Sequence, residues 1–437
     1  MVKNTGRNVV IVGGGLAGLA ASIYLARGGR TVTVFEKRQA LGGRAITHLR
    51  QGYRLNLGPH AVYRFGAARA VYRELGIPVP GRVAKPKPVA LHRGERSRLP
   101  SGLFSLLGTS LLSIRGKMEF LKAAWRIRRL QPARVAGTST GEWLDAHFTD
   151  ARARAAMAAL IRLATYADPE AQSAALALAQ TKVAFRGVIY VDEGWQRLVD
   201  SLRNTAVTSG VNFVSMSRIV GVVRDHIAVR AVELGGLELD ADRTDTMSIA
   251  MPEMKPENVE GALIPAETVL LCVDPATAAE LAGAADFTKS WTAARPVTAS
   301  CLDVALRSLP QKKNTFALGI EEPHYFSVHS AFAQLAPKGG AVIHAMKYGG
   351  GAKEDEWELE SLIDRMQPGW RELVVHRRYL PSMIVSNALV TPEIQRPSPI
   401  TPVQGLYIAG DWVGGEGLLS DAALASARDA AKAILAS

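Results

Sequence analysis

The sequence predicts an α/β protein that opens with a Rossmann-like dinucleotide-binding unit and continues into a second, β-containing domain with a helical cover. Three observations predict this fold class. Residues 9–44 read as a strand, a glycine turn, a helix and a second strand, residues 291–400 alternate strands with a helix, and residues 405–435 return to a strand, a turn and a helix. A chain of 437 residues with 48% hydrophobic content is long enough for two domains, each with its own core.

The glycine turn of residues 13–18 follows an apolar strand and opens a helix. Gly13 lets the chain turn out of the strand, Gly15 leaves room for a pyrophosphate, and Gly18 lets the helix pack on the sheet. The helix N-terminus would face the phosphates with its unpaired N–H groups. Glu36 ends the second strand about 20 residues further on, where a carboxylate can accept from ribose hydroxyls. The spacing predicts a bound dinucleotide, and we expect FAD.

The uncharged run Val9–Ala26 allows a different interpretation, a signal peptide or a membrane-spanning segment. Its glycines make a poor membrane helix, and the strand that follows completes a βαβ unit. The two cysteines, Cys272 and Cys301, are expected to be buried small hydrophobes, which fits a reducing cytoplasm. We therefore expect a cytoplasmic protein, either soluble or peripheral at the membrane surface.

The charge balance narrows the choice of partners. The formal net charge of +12 fits nucleic acid, an anionic membrane surface or acidic substrates. The sequence has no zinc spacing, no RNP-like aromatic motif and no basic tail, so no nucleic-acid partner is expected. Its nine histidines are scattered without metal-ligand spacing, so no metal is expected either.

The middle of the chain differs from both ends. Residues 81–100 are rich in Pro, Lys and Arg, and residues 101–186 read as mostly helical. A helix over 196–206 and a β-rich stretch up to residue 273 follow. Within that stretch, residues 243–265 show no clean period and contain internal prolines. They are expected to form an excursion or flexible loop, or alternatively a lid over a ligand.

Four motifs carry a family resemblance: Glu36-Lys37-Arg38, Gly42-Gly43-Arg44-Ala45, Leu57-Gly58-Pro59, and the closing segment GLYIAGDWVGGEG of residues 405–417. Together they resemble the phytoene desaturase and flavin amine oxidase superfamily. Ala40, where many amine oxidases have arginine, is closer to the phytoene desaturase-like branch. The resemblance implies a Rossmann-like FAD-binding domain of the glutathione reductase type with an inserted α+β substrate domain. The implied FAD-binding domain comprises residues 1–80, 195–288 and 400–437, and the substrate-binding domain comprises residues 81–194 and 289–399.

The resemblance also implies a set of cofactor contacts. Carried over by position, these are Gly13, Gly15, Leu16, Ala17, Gly18, Glu36, Lys37, Gly43, Arg44, Ile219, Gly410, Asp411, Gly417, Leu418 and Leu419. Physical chemistry supports the last of them, because a carboxylate after a buried strand can accept from ribityl hydroxyls. The following helix N-terminus can then face flavin N1 and O2, where negative charge accumulates on reduction. Asp421 would oppose that charge unless it faces away or pairs with Arg428. Neither cysteine lies near the closing glycines, so non-covalent FAD is expected.

The sequence gives little indication of catalytic side chains, because hydride transfer to flavin N5 needs little from the protein beyond positioning of the substrate. The candidates are His60, Tyr63, Lys347 and Trp412. His60 is either a general base, since its usual pKa is near neutrality, or a turn histidine bonded to the backbone. Lys347 resembles a lysine that holds a water at flavin N5 in amine oxidases, or it is a solvated surface lysine.

Residues 113–131 combine an apolar stripe with a basic face. Ile114, Met118, Leu121 and Trp125 share one helical stripe, and six basic residues against one acid leave a balance of +5. The apolar stretch 103–112 comes directly before. We expect either a core-facing helix with a solvated basic face or a membrane-docking segment through which an apolar substrate enters.

The leading hypothesis is an FAD-dependent oxidoreductase that takes a hydride from an apolar, polyisoprenoid-like small molecule to flavin N5. The second is a flavin amine oxidase or a protoporphyrinogen oxidase-type enzyme. The third, from another class, is a non-redox flavin protein that acts as chaperone for a prenylated partner. An electron acceptor is required by the first two hypotheses, and no motif identifies it or the oligomeric state.

Overall fold

The computed structural model describes residues 8–225, 227–235 and 261–437. Its strands are β1 (Asn8–Val12), β2 (Thr31–Phe35), β3 (Thr47–Arg50), β4 (Tyr53–Asn56), β5 (Val62–Tyr63), β6 (Gly81–Val83), β7 (Val89–His92), β8 (Glu95–Arg98), β9 (Val188–Val191), β10 (Asn212–Val214), β11 (Ile219–Arg224), β12 (Val229–Leu234), β13 (Leu263–Pro265), β14 (Thr268–Leu271), β15 (Val297–Leu306), β16 (Phe316–Gly319), β17 (His324–Val328), β18 (Ala341–Tyr348), β19 (Val374–Ser386) and β20 (Leu406–Ile408). Its α-helices are α1 (Leu16–Arg27), α2 (Ala67–Glu74), α3 (Leu103–Leu107), α4 (Ile114–Arg128), α5 (Thr140–His147), α6 (Ala151–Thr165), α7 (Ala174–Ala184), α8 (Gln196–Thr208), α9 (Pro275–Ala282), α10 (Lys289–Thr292), α11 (Asp355–Met366) and α12 (Leu419–Ala436).

Five parallel strands form the first sheet, in the order β10-β2-β1-β14-β20. The strand order reverses at β1, whose neighbours β2 and β14 lie on opposite sides, so a crevice opens at its carboxyl end. Because the strands are parallel, the segments that follow β1, β2 and β20 all leave the sheet at this edge. The fold therefore gathers residues from both ends of the chain at one place.

Small residues let helices pack closely on this sheet. Helices α1 and α12 meet through buried alanines, including Ala20 and Ala21 on α1 and Ala427 and Ala431 on α12. The opposite face of the sheet packs against α9 and a small sheet of order β11-β12-β13. All five strands of the parallel sheet come from the ranges predicted for the FAD-binding domain. The α/β, Rossmann-like fold class is confirmed.

The second large sheet has seven strands, in the order β19-β15-β18-β17-β16-β7-β8. Side chains alternate between its two faces. The outer face packs against α11 through Leu302 and Val304 of β15 and Ile343 and Ala345 of β18. The alternate residues of the same strands form the inner face, which includes Cys301, Asp303, His344 and Met346.

Several strands outside the parallel sheet were not predicted. Residues 81–98, which are rich in Pro, Lys and Arg, contain β6, β7 and β8, and residues 188–191 form β9. The end of the predicted excursion, Leu263–Pro265, is a strand paired with β12 and not a loop. Residues 243–260 of that excursion lie outside the described residues.

Helix α4 buries a different face from the one expected of a core-facing helix. Its buried residues are Gly116, Phe120, Ala123 and Ile127. The stripe that the sequence marked is exposed instead, with Ile114 at 85% and Trp125 at 54%. The core-facing interpretation of that stripe is therefore wrong, because the phenylalanine and isoleucine seven residues apart provide a second apolar face. Among the described helices, none is long and apolar enough to cross a bilayer.

Candidate cofactor and active site

The glycine turn after β1 is shaped by contacts that differ from one glycine to the next. Gly13 has a φ of +105°, and a Cβ built there would lie 2.6 Å from the Cys272 carbonyl oxygen. A Cβ at Gly18 would lie 2.0 Å from the Gly13 carbonyl oxygen, so only glycine lets α1 approach the turn. A Cβ at Gly15 would meet no described atom within 4 Å. The first residues of α1, Leu16 and Ala17, follow directly, so open space borders a helix N-terminus.

Glu36 follows β2, and its carboxylate is fixed beside the same turn. It is buried, with Oε2 accepting from the Gly14 N–H at 2.8 Å and Oε1 accepting from the Arg38 N–H at 3.0 Å. Lys37 between them is exposed. The structure therefore holds the carboxylate predicted for the ribose next to the turn predicted for the pyrophosphate.

Ile219, one of the cofactor contacts that the resemblance implies, is buried at the start of β11. The N–H of Ser217, two residues earlier, donates to the Glu36 carbonyl oxygen at 3.0 Å. The N–H of Met216 donates to the Arg38 carbonyl oxygen at 3.1 Å. These bonds hold the residues that precede Ile219 alongside the segment that carries Glu36.

The second glycine motif connects the N-terminal turn to the C-terminal motif. The Gly42 N–H donates to the Gly14 carbonyl oxygen at 2.8 Å. Arg44 then reaches across, with Nη2 lying 2.9 Å from Asp411 Oδ2. Three motifs that are far apart in the sequence thus meet at the carboxyl edge of the parallel sheet.

Asp411 follows β20 and is 3% exposed. Beyond Arg44, it accepts from the backbone N–H of Asn387 at 3.0 Å and from Asn387 Nδ2 at 2.9 Å. Gly410 before it donates its N–H to Ser426 Oγ of α12 at 3.0 Å. Sequence reasoning missed Asn387, because one asparagine after a strand forms no recognisable motif.

The closing loop runs from Asp411 to Gly417 and leads into α12. The Leu418 N–H donates to Gln180 Oε1 at 3.1 Å. Leu419 has a φ of +57°, a left-handed conformation that costs a non-glycine residue about 1–2 kcal/mol. Such strain collects at functional sites. Leu418 and Leu419 also line a cavity of about 20 Å³ whose other walls come from Val297 and from parts of residues 165–177 and 386–390.

Comparison with known proteins identifies the family of this chain. The family described as flavin containing amine oxidoreductase matches residues 16–244, just over half of the chain. The chain belongs to the flavin containing amine oxidoreductase family. The superfamily resemblance and the prediction of an FAD-dependent oxidoreductase are thereby confirmed.

Individual relatives of this flavin oxidoreductase cover parts of it. The chain is 26% identical over 268 residues to the 4,4'-diapolycopen-4-al dehydrogenase of Metabacillus indicus, covering 54% of each protein. It is 31% identical over 173 residues to a putative flavin-containing monoamine oxidase of Mycobacterium tuberculosis, covering 37% of this chain and 38% of the relative. The chain thus spans about half the length, or less, of these curated relatives. An oxidoreductase structure from Methanosarcina mazei shares the fold, with a TM-score of 0.74 at 17% identity, covering 98% of this chain and 100% of the other.

FAD is the cofactor of this flavin oxidoreductase, and the sheet edge fits it. A Cβ at Gly43 would meet only the Gly15 Cα, at 3.7 Å, and one at Gly415 would meet no described atom within 4 Å. Backbone therefore borders open space in all three glycine motifs, which lets a flat or charged ligand approach closely. Buried carboxylates stand at both ends of this edge, Glu36 and Asp411, which the resemblance assigns to the ribose and ribityl hydroxyls.

Asp421, in the first turn of α12, is directed at another helix. Its Oδ1 accepts from the Ala68 N–H at 2.8 Å, close to the N-terminus of α2. Arg428 does not pair with it and contacts Glu416 at 2.6 Å instead, so that proposed pairing is wrong. Burial raises the pKa of Asp421 to about 6. The sequence analysis allowed that Asp421 faces away, and its contact with α2 is consistent with that alternative.

Trp412 lies in the core between the parallel sheet and the elements packed on it. Its side chain is 1% exposed, and the indole N–H donates to the Val273 carbonyl oxygen at 2.9 Å. Its ring packs edge-on against Trp291, with 5.5 Å between the ring centroids. These contacts give Trp412 a packing role, contrary to its prediction as a catalytic candidate.

His60 sits between two backbone carbonyls. Its Nδ1 lies 3.1 Å from the Gly58 oxygen and its Nε2 lies 3.2 Å from the Arg44 oxygen. The ring also packs edge-on against Trp195 at 4.9 Å. Burial lowers the pKa of His60 to about 4, so the imidazole is neutral at pH 7. A neutral imidazole has one N–H and donates to only one of these two carbonyl oxygens, and the contacts are those of a turn histidine bonded to the backbone.

Tyr63 and Lys347 are both occupied by contacts within the protein. The Tyr63 hydroxyl is buried and donates to the Ala164 carbonyl oxygen at 2.8 Å. Lys347 Nζ lies 2.9 Å from Asp355 Oδ1 and 2.8 Å from Glu358 Oε2, both on α11. Because α11 covers the outer face of the seven-stranded sheet, Lys347 points away from the inner face. The expectation that Lys347 holds a water at flavin N5 is therefore contradicted by strand alternation.

A polar row on the inner face of the seven-stranded sheet was missed by sequence reasoning. Arg378, Asp303 and His344 are register partners on β19, β15 and β18. His344 Nδ1 lies 2.6 Å from Asp303 Oδ1, a hydrogen-bond length, and Arg378 donates to Oδ2. Burial opposes ionisation of Asp303, yet His344 and Arg378 hold its pKa low, at about 2.

This polar row lies over the turn that carries His60. The Arg378 guanidinium donates to the Asn56 carbonyl oxygen, and a Cβ at Gly58 would lie 3.6 Å from Cys301 Sγ. The inner face of the seven-stranded sheet therefore covers residues 56–58, and His60, two residues further on, contacts the Arg44 carbonyl oxygen.

Proposed function

We propose that this protein is an FAD-dependent oxidoreductase that takes a hydride from an apolar, polyisoprenoid-like small molecule. The observation that carries the proposal is the meeting of the glycine turn, Arg44 and Asp411 at one sheet edge. The relative from Metabacillus indicus, named for a polyene aldehyde, supports a long apolar substrate.

Bound FAD supplies the two-electron acceptor for such a reaction. The protein binds and orients it, with Glu36 and the α1 N-terminus at one end and Asp411 at the other. Asn387 and Arg44 fix the Asp411 carboxylate, so the position of the flavin is set by side chains that are themselves held. Catalysis then depends on how accurately the substrate is placed, since misplacement by about 1 Å can cost about a hundredfold in rate.

We also propose that the protein associates peripherally with membranes through an apolar patch on α3 and α4. The patch consists of Leu103, Phe104, Leu107, Ile114, Met118, Leu121 and Trp125, all exposed, with Phe104 at 87%. The two helices form one surface, because Lys117 Nζ of α4 donates to the Leu107 carbonyl oxygen of α3 at 2.9 Å. A contiguous apolar surface of this kind is uncommon on a protein that contacts only water.

Basic residues around the apolar patch favour an anionic bilayer as the surface that covers it. Arg126, Arg128 and Arg129 are exposed at the end of α4, and the Arg129 guanidinium lies 4.5 Å from the Trp125 ring centroid. Each basic residue close to an anionic surface contributes about 1 kcal/mol. An apolar substrate dissolved in a bilayer could then reach the enzyme without crossing water.

Anaerobic flavin reduction tests the proposed substrate class. The yellow protein would be mixed with phytoene or a polyene aldehyde in vesicles, with protoporphyrinogen IX, and with benzylamine or putrescine, and absorbance near 450 nm followed. The proposal predicts bleaching by the isoprenoids only. Bleaching by an amine or by the porphyrinogen would establish the second hypothesis, and bleaching by dithionite alone would favour a non-redox flavin protein.

Flotation with vesicles tests the membrane proposal. Wild-type protein should float with phosphatidylglycerol vesicles and lose this association in high salt. R126E/R128E/R129E should remain in the soluble fraction, as should F104S/W125S, which removes apolar contact without a change of charge. K312E/K313E/K338E, at exposed positions elsewhere, is the matched control for charge. Equal flotation of all four proteins would refute this docking surface.

A further inference from the structure

Arg396 is a largely buried cation at the closing loop. Its Nη1 donates to the Asp411 carbonyl oxygen at 3.1 Å, and its Nη2 donates to the Gly417 carbonyl oxygen at 2.8 Å. The guanidinium thus joins the two ends of the loop that leads into α12. The guanidinium therefore lies close to the N-terminus of α12, which is expected to face the flavin.

The charge of Arg396 has no carboxylate partner at ion-pair distance among the described residues. The carboxylate whose charge acts on it is that of Asp411, whose oxygens already accept from Arg44 and Asn387. The Arg396 Nε atom is buried and has no hydrogen-bond partner within residues 8–225, 227–235 and 261–437. Burying a cation without a counter-charge is costly unless an anionic group arrives.

Two anionic parts of FAD could supply that counter-charge, the pyrophosphate and the isoalloxazine ring after reduction. The Gly417 carbonyl contact places Arg396 beside Leu418 and Leu419, at the start of α12. A helix N-terminus also stabilises negative charge, so both effects act in the same direction there. The pyrophosphate is expected instead at the glycine turn, at the N-terminus of α1.

We propose that Arg396 is a positioning residue that stabilises negative charge on the reduced flavin while it holds the closing loop in place. This inference rests on FAD as the cofactor and not on any particular substrate. It therefore remains testable whichever compound reduces the flavin.

Sulfite binding and redox potential test the role of Arg396 in the purified holoprotein. Sulfite adds reversibly to oxidised flavin and leaves negative charge on the ring, so its Kd reports the local positive potential. R396Q keeps amide donors for the loop carbonyls but has no charge, whereas R396K keeps the charge. We expect R396Q to raise the sulfite Kd at least tenfold and to lower the two-electron potential by about 30 mV, the equivalent of a tenfold change. R396K should stay within threefold of wild type.

R162Q is the matched control. Arg162 is also a partly buried arginine that contacts two carbonyl oxygens, those of Gly319 and Ile320, and its Nε also has no partner among the described residues. Its variant should leave both quantities unchanged. If R396K and R396Q behave alike, whether both resemble wild type or both lose FAD, the role is structural only and the proposal fails. A tenfold weaker FAD affinity in R396Q with unchanged sulfite binding would assign the charge to the pyrophosphate and overturn the proposal as well.

Discussion

The two large sheets handle buried charge in opposite ways. At the carboxyl edge of the parallel sheet, Glu36 accepts only from backbone N–H groups, beside the open space at Gly15, and Asp411 accepts from Asn387 and from Arg44, whose side chain is 44% exposed. On the inner face of the seven-stranded sheet, Asp303 is 0% exposed and is matched within the protein by Arg378 and His344. The first region is built to be completed by a ligand, whereas the second is already complete. Substitutions should therefore affect ligand affinity in one region and folding stability in the other.

The largest effect is expected at the inner face. D303N should lower the free energy of unfolding by about 3–5 kcal/mol, because it leaves the partly buried Arg378 charge without its partner. D286N, in an ion pair with Lys289 that is exposed on both sides, should cost less than about 1 kcal/mol. Urea denaturation at pH 7 measures both. Because the pKa of Asp303 is held low, at about 2, its stabilising contribution is present above pH 3.8 and is lost as the pH falls through about 2. Equal losses in the two variants would break the comparison.

Asp421 extends the comparison, because it is a buried carboxylate that has no cationic partner among the residues the structure describes. Its pKa is raised to about 6, so the folded state binds a proton more tightly than the unfolded state does. No penalty exists below pH 3.8. Ionisation then costs stability as the pH rises to 6, by up to about 3 kcal/mol. D421N has no such charge, so its stability relative to wild type should rise by about that amount between pH 3.5 and pH 7. A difference that does not vary with pH would show that Asp421 is ionised without cost.

At the cofactor edge, E36A should weaken FAD binding by about 1–3 kcal/mol, because it removes a charged acceptor for ribose hydroxyls. Titration of apoprotein with FAD, followed by fluorescence quenching, gives the affinity. Q39A, at an exposed position nearby, is the control and should bind FAD as wild type does. Unchanged affinity in E36A would mean that the Glu36 carboxylate serves only to hold the Gly14 N–H.

The smallest expected effect separates ligand space from protein packing at Gly15. G15A adds one methyl group where no described atom lies within 4 Å, so the apoprotein should unfold within about 0.5 kcal/mol of wild type. FAD affinity should fall about tenfold, or about 1.4 kcal/mol, because the methyl group occupies space needed by the pyrophosphate. G102A, where a Cβ is also unhindered, should change neither quantity. A destabilised G15A apoprotein would contradict the assignment of that space to a ligand.

The cofactor edge could be predicted from the sequence because its chemistry lies in short, contiguous motifs. Gly13, Gly15, Gly18 and Glu36 fall within one βαβ unit, and their spacing follows from the geometry of a strand, a turn and a helix. Asn387 and Arg396 could not be predicted, because each reaches Asp411 from a loop through contacts that only the folded chain creates.

The inner face was harder to predict for a related reason. Asp303 pairs with residues 41 and 75 positions away, so no local window contains the polar row. Lys347 shows how one position along a strand changes the face on which a side chain lies. Met346 next to it lies on the inner face, while Lys347 contacts α11 on the outer face. The same limit applies to α4, where two apolar stripes were available and packing decided which one was buried.

Acid precipitation of the purified protein tests the central claim most directly. If the three glycine motifs hold a dinucleotide by both ends without a covalent bond, the supernatant should contain FAD at one equivalent per chain, identified by chromatography. Flavin retained in the pellet would show a covalent link. A supernatant with only FMN or NAD would contradict this claim. FMN has no adenosine ribose for Glu36 to bind, and NAD has no flavin for the closing loop to bind.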